Sequence, residues 1–249
     1  NMESSKIYYK PFYRREDFND EKYKPTFAPQ AVSGQTAEFQ LWLDQWEGAP
    51  LRITSYVRDT YDKKEILMPP VELIKGEWNE LRFVIPPLEG SFADEIGFLI
   101  DSPTSTAASR AFGALYIGRM RVYGGGQYAI DWAKQAVEFT SVTPMAQHRG
   151  EWRLADGGLH YAAERNAAAF TGNYYARDVE IEAAFTPLSG QSHGLVVRAQ
   201  GIERHYWLGL SERGTVSIRK NDFGWTELAS ADFPWEPGRT YVLKAVARG

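Results

Sequence analysis

The stretch GLVVRAQGIERHYWLGLSERGTVSIRK, residues Gly194–Lys220, contains three strand-like runs: Gly194–Ala199, His205–Leu210 and Thr215–Lys220. The gaps between them are short and carry Gly201, Glu212 and Gly214. In the last run Val216 and Ile218 alternate with Ser217 and Arg219, a period of two that puts apolar side chains on one face and polar ones on the other. Three such runs with short connections predict an antiparallel meander, the unit from which β-sandwiches are built.

The same pattern continues outward. Val179–Phe185 alternates, Gly150–Leu154 and Gly158–Ala162 read as a hairpin, and Phe170–Tyr175, Trp225–Ser230 and Thr240–Ala247 read as further strands. The chain stops at Gly249 directly after a strand, so the expectation is a second sandwich that is incomplete at its C-terminus. In the first half, strands are predicted over Ala37–Leu43, Leu51–Arg58, Lys64–Met68, the segment led by Trp78, Ile96–Ile100 and Ala114–Tyr123. Pro11, Pro25 and Pro29 argue against long helices near the start. The small polar run 101–112 reads as a surface loop. Gly124–Gly126 marks a break, and QYAIDWAKQAVEFTSVTP after it is the only segment with helical character. The expected fold is all-β: two jelly-roll β-sandwich domains in tandem, 1–126 and 127–249.

Composition narrows the function. With 249 residues and 43% hydrophobic content there is material for substantial cores. A net charge of −4 speaks against a broad nucleic-acid surface, which needs clustered Lys and Arg. The absence of cysteine excludes disulfides, thiolate metal sites and cysteine nucleophiles, and leaves the compartment open. No apolar run approaches the ~18 residues of a membrane-spanning helix. The 8 Trp, 14 Tyr and 13 Phe suit both strand packing and stacking on sugar rings, so aromatic content alone does not choose between them.

Particular motifs carry a family resemblance. Trp78-x-x-Leu81-x-Phe83-x-Ile85-Pro86, then Ile96–Ile100 and Phe112-Gly113-x-Leu115-Tyr116-Ile117, resembles the carbohydrate-binding-module type of galactose-binding jelly roll. Gly150-x-Trp152, Asp156-Gly157, Phe170-x-Gly172 and Gly194-Leu195-x-x-Arg198 resemble a concanavalin A-like lectin or glucanase sandwich. The tandem, joined by Gly125-Gly126-x-Tyr128-x-Ile130-Asp131-Trp132, resembles the accessory region that follows the catalytic domain in some bacterial ADP-ribosylglycohydrolase-family proteins. That resemblance implies carbohydrate, or the chain's own catalytic domain, as partner. The catalytic domain of that family uses clustered aspartates to hold two magnesium ions, and no such cluster exists in this sequence. Jelly rolls of this type often place an Asp after the Leu-Tyr-Ile segment, where it helps hold a structural calcium; this chain has Gly118 there, so that ligand is lost. No other cofactor is implied.

Candidate ligand-binding residues follow from strand alternation. Trp42 points away from the Leu41/Leu43 face beside Asp44, where it could stack on a sugar. Tyr56 and Arg58 share a polar strand face with Arg52 and Thr54, and an Arg fork can hold vicinal hydroxyls or a carboxylate. Arg198, Tyr206 and Trp207 lie close in sequence around a tight turn. A sandwich-type glycoside hydrolase would need two carboxyl groups facing one cleft. The closest acidic segment, Glu180 and Glu182, lacks the third acid of a glucanase motif, so no catalytic residue is assigned. The expected function is that of a non-catalytic accessory region, with a glycoside hydrolase and a structural or oligomerisation module as alternatives.

Overall fold

A computed structural model describes residues 5–9, 30–47, 50–101, 112–134, 145–162, 166–172, 176–212 and 214–249. Of the loop expected at 101–112, residues 102–111 lie outside these residues, as does the helical segment from residue 135 to 144; its described part holds one 3-10 turn at Trp132–Lys134. The described chain is otherwise built of strands in antiparallel sheets, an all-β protein of the β-sandwich class. It divides into two compact units, Asn1–Thr171 and Gly172–Gly249.

The first unit contains β1 (Ser5–Tyr9), β2 (Thr36–Glu47), β3 (Arg52–Asp59), β4 (Glu65–Leu67), β5 (Val71–Glu72), β6 (Trp78–Val84), β7 (Ala93–Asp101) and β8 (Phe112–Tyr123). Four short strands follow: β9 (Ala146–His148), β10 (Glu151–Ala155), β11 (Gly158–Ala162) and β12 (Ala168–Phe170). One sheet runs β1-β7-β3-β4, with β5 also on β3, and a second runs β6-β2-β8. The inward positions of these sheets form one core. Ala37, Phe39, Leu41 and Leu43 of β2 and Leu81 of β6 meet Ile53 and Val57 of β3 and Ala93, Ile96 and Phe98 of β7. Phe39 and Phe98 touch edge to face, with ring centroids 5.5 Å apart. Each such side chain, fully buried, contributes roughly 1.5–3 kcal/mol. Strand alternation then leaves Glu38, Gln40 and Trp42 on the opposite, outward face of β2.

β10 and β11 form the expected hairpin, closed by Asp156 and Gly157, both at positive φ. The glycine triplet does not swing free. Gln127 donates its backbone N–H to Ser33 O, and Gln35 Nε2 donates to Gly124 O. A Cβ on Gly126 would overlap Val32, which accounts for glycine at that position.

The second unit contains β13 (Val179–Phe185), β14 (His193–Gly201), β15 (Arg204–Ser211), β16 (Thr215–Asp222), β17 (Trp225–Asp232) and β18 (Tyr241–Ala247). The meander read from 194–220 is present as β14-β15-β16, and β17 extends it. β13 pairs with β18, and β18 lies against β14. The buried apolar residues here are Leu195, Leu210, Tyr241 and Ala245, and beside them His205, Ser211, Ser217 and Asn221 are also buried.

Candidate functional site

Register turns the outward face of β6-β2-β8 into a grid. Arg82, Glu38 and Arg121 lie side by side; next come Glu80, Gln40 and Arg119; then Trp78, Trp42 and Tyr116. Successive rows are two residues apart along β2, about 7 Å at ~3.4 Å per residue.

Glu38 anchors the first row. Its Oε2 accepts from Arg82 Nη2 and Arg121 Nη2, both at 2.9 Å, and from the Tyr123 hydroxyl at 3.3 Å. Its Oε1 accepts from Arg119 Nη2 at 3.0 Å and pairs with Arg121 Nε at 2.9 Å. The Glu38 side chain is 0% exposed, whereas those of Arg82, Arg119 and Arg121 are 54%, 49% and 44% exposed. The carboxylate is therefore sealed by the arginines that cover it rather than by depth in the fold. Hydrogen bonds from Arg121 first, then from Arg82 and Arg119, outweigh desolvation and lower its pKa to about 2. The guanidinium of Arg121 also lies over the Tyr123 ring, 4.5 Å from its centroid. Three long, entropy-rich side chains are thereby held in place with one side still facing water.

The third row is aromatic. Trp42 is half-buried and meets Trp78 edge to face at 5.6 Å, while Trp78 remains 56% exposed. Trp78 reaches across the sheet to β8, where a shift in register between β2 and β8 leaves Gly118 between Arg119 and Ile117. A Cβ on Gly118 would come within 2.5 Å of the indole Cζ3. The position that the family resemblance gives to a calcium-binding Asp is thus covered by an indole ring. Among the described residues no group of three or more His, Asp or Glu gathers to hold an ion, so the residues present do not fit the structural calcium.

The other expected residues are placed differently. Tyr56 is 0% exposed, so the polar face read for β3 is covered at that point. Lys6 of β1 lies 4.5 Å above its ring, and its hydroxyl donates to Glu95 Oε2 at 3.0 Å. Burial, with Glu95 beside it, pushes the phenol's pKa up. Arg58 donates from Nε to Asp94 Oδ2 at 2.8 Å, and its Nη2 pairs with both Asp94 and Glu95. Tyr56 therefore offers a ligand no surface, and the Arg58 fork is turned onto two acids of its own fold.

In the second unit Arg198 sits in a bulge of β14 at φ 52°. It donates from Nε to Arg177 O and from Nη2 to Gly249 O. Tyr206 and Trp207, neighbours on β15, point to opposite faces. These three residues are not brought together. Trp207 shares its face with His205, Gly209 and, across the register, Arg219 and Asn221 of β16. The Arg219 guanidinium lies 5.1 Å from the Trp207 ring, and His205 meets Trp225 edge to face at 5.3 Å. Burial pushes the imidazole of His205 below its ordinary pKa.

Trp42 is thus the expected residue that the structure places in a group of outward-facing aromatic and guanidinium side chains on the first unit. Its companions Arg82, Arg119 and Arg121 are not among the residues expected to bind a ligand, and Trp78 is expected only as the head of a strand and of the jelly-roll motif. The available signal was the wet half of β8, where Arg119 and Arg121 alternate with Met120 and Val122, and of β6, where Trp78, Glu80 and Arg82 alternate. No protein-family model matches the chain, and comparisons with curated proteins and with solved structures likewise give no match.

Proposed function

We propose that this chain is a non-catalytic accessory region that binds glycan on the outward face of β6-β2-β8. In this reading residues 1–126 are a jelly roll of the carbohydrate-binding type and residues 127–249 a concanavalin A-like sandwich, the tandem that the sequence resembles. The observation that supports it most is Trp78. An indole 56% exposed, braced by Trp42 and laid over a glycine, is a flat apolar platform held in water. Beside it stand fixed donors, the pairing of ring face and directed hydrogen bonds that sugar recognition needs.

Catalysis by Glu180 finds no support. Lys244 pairs with Glu180 and holds its pKa below the usual carboxylate range, whereas a glycosidase acid must keep its proton near neutrality. A second reading, docking onto the chain's own catalytic domain, is favoured by β17. This strand is exposed along its whole length, pairs among the described residues with β16 alone and carries Trp225 and Leu228.

A glycan array followed by calorimetry on the wild type, Trp78→Ala and Trp42→Ala tests the proposal. Truncating a central Trp anchor costs about 2 kcal/mol or more, so affinity should fall over tenfold in Trp78→Ala. Binding that survives both substitutions unchanged moves the site elsewhere. Silence of the wild type across the array removes the glycan reading.

A further inference from the structure

We infer that the glycan taken by this face is acidic, and that Arg119 receives a uronic-acid carboxylate from a sugar stacked on Trp78. The inference rests on the glycan-binding reading and specifies its ligand class. Three guanidiniums crowd one carboxylate, and among the described residues Glu80 is the one further acid on them, 3.4 Å from Arg82 Nη2. The cluster keeps surplus positive charge in a chain whose net charge is −4. The Glu38 charge is offset by the three guanidiniums paired with it, so an incoming anion meets a net positive cluster.

The arginines are unequally committed. Arg121 spends Nε and Nη2 on Glu38 and lies over Tyr123, and Arg82 divides Nη2 between Glu38 and Glu80. Arg119 gives Glu38 a single Nη2 bond. It also stands in the middle row of the grid, about 7 Å from the aromatic row and next to Gly118, under the Trp78 ring. A guanidinium matches a planar carboxylate through two parallel N–H···O bonds, a geometry that a hydroxyl or an ammonium cannot reproduce. An anion there also relieves the mutual repulsion of three half-exposed cations, which a neutral sugar cannot do.

The test titrates the whole chain with oligogalacturonate, oligomannuronate and hyaluronate oligosaccharides, with the methyl esters of the first two, and with neutral cello- and galacto-oligosaccharides. The wild type should prefer at least one free acid to its ester by tenfold or more, and the preference should shrink as NaCl is raised. Arg119→Gln and Arg119→Lys should both lose that preference while remaining folded, with Arg82, Arg121 and Tyr123 still holding Glu38. Trp78→Ala should weaken acids and neutral sugars alike. Equal binding of acids and neutral sugars, or a preference untouched in Arg119→Gln, overturns the acidic assignment and leaves glycan binding standing. Failure of every sugar overturns both.

Discussion

The outward face of β6-β2-β8 and the polar face of β14–β17 cover a sheet in opposite ways. In the first unit a charge is kept. Glu38 stays ionised because four hydrogen-bonding side chains reach it at the sheet surface, and their attraction exceeds the cost of losing water. In the second unit a charge is refused. His205 on that face, and His193 on the opposite face across from Leu210, are pushed toward the neutral form, chiefly by burial, with backbone hydrogen bonds opposing the shift only in part. The lesson is that a titratable group tracks its immediate partners rather than its depth alone. The cores differ too: the first unit closes over a broad apolar cluster, while the second buries His205, Ser211, Ser217 and Asn221 next to few large apolar side chains.

The sharpest way to break this contrast is through the core. Phe98 is 1% exposed and packs on Phe39. Phe98→Ala should cost the first unit about 3–5 kcal/mol. Hydrogen exchange should show lost protection across β2, β3 and β7 while β14–β16 keep theirs. Equal loss in both sets of strands would mean that the chain unfolds as one body.

The two protonation schemes should next separate along the pH axis. Glu38 has its pKa lowered from 4.5 to about 2, so an unfolded chain takes up protons that the folded one refuses between those values. Its contribution is complete above pH 4.5 and is lost as pH falls toward 2. His193 and His205 have folded values below the ordinary 6.5, so their contribution is complete above pH 6.5 and is lost as pH falls below it. Denaturant unfolding followed by hydrogen exchange should therefore show the second unit weakening first on acidification. His205→Gln should flatten its slope below pH 6.5. Glu38→Gln should destabilise the first unit already at pH 7, because three guanidiniums lose their counter-charge, and should flatten its slope below pH 4.5. Parallel acid profiles in the two units would contradict the assignment.

The strands were legible in the sequence because alternation is a local signal: β2, β3, β6, β8 and β13 through β18 follow from it. β1, β5 and β9 do not follow from it. β1 has five residues ahead of a proline-rich segment, and β5 has two residues directly after Pro69–Pro70. Missing β1 also misplaced Tyr56, since the lysine that covers its ring comes from that strand. Trp42 was legible from its own strand. The arginine cluster was not, because Arg82, Arg119 and Arg121 stand 44, 81 and 83 residues from Glu38 and only the register of three strands assembles them. Likewise Gly118 reads as a lost metal ligand in the sequence and as a seat for an indole in the fold.

The smallest expected effect on stability sharpens the aromatic row. Gly118→Ala sets a methyl group against the tip of the Trp78 ring, a half-exposed side chain that can tilt away, so stability should fall by no more than about 1 kcal/mol. Tryptophan fluorescence should nonetheless change, and sugar affinity should drop, because the platform is no longer level. An unchanged affinity would show that the seating of Trp78 on β8 is incidental to binding.

The central claim is that the outward face of β6-β2-β8 is where this protein meets its ligand. The most direct measurement is a crystal structure of the chain with the tightest-binding oligosaccharide from the array. The account predicts a pyranose ring stacked on Trp78 with a substituent held by Arg119. A sugar seated on any other surface, with Trp78 left bare, would contradict it.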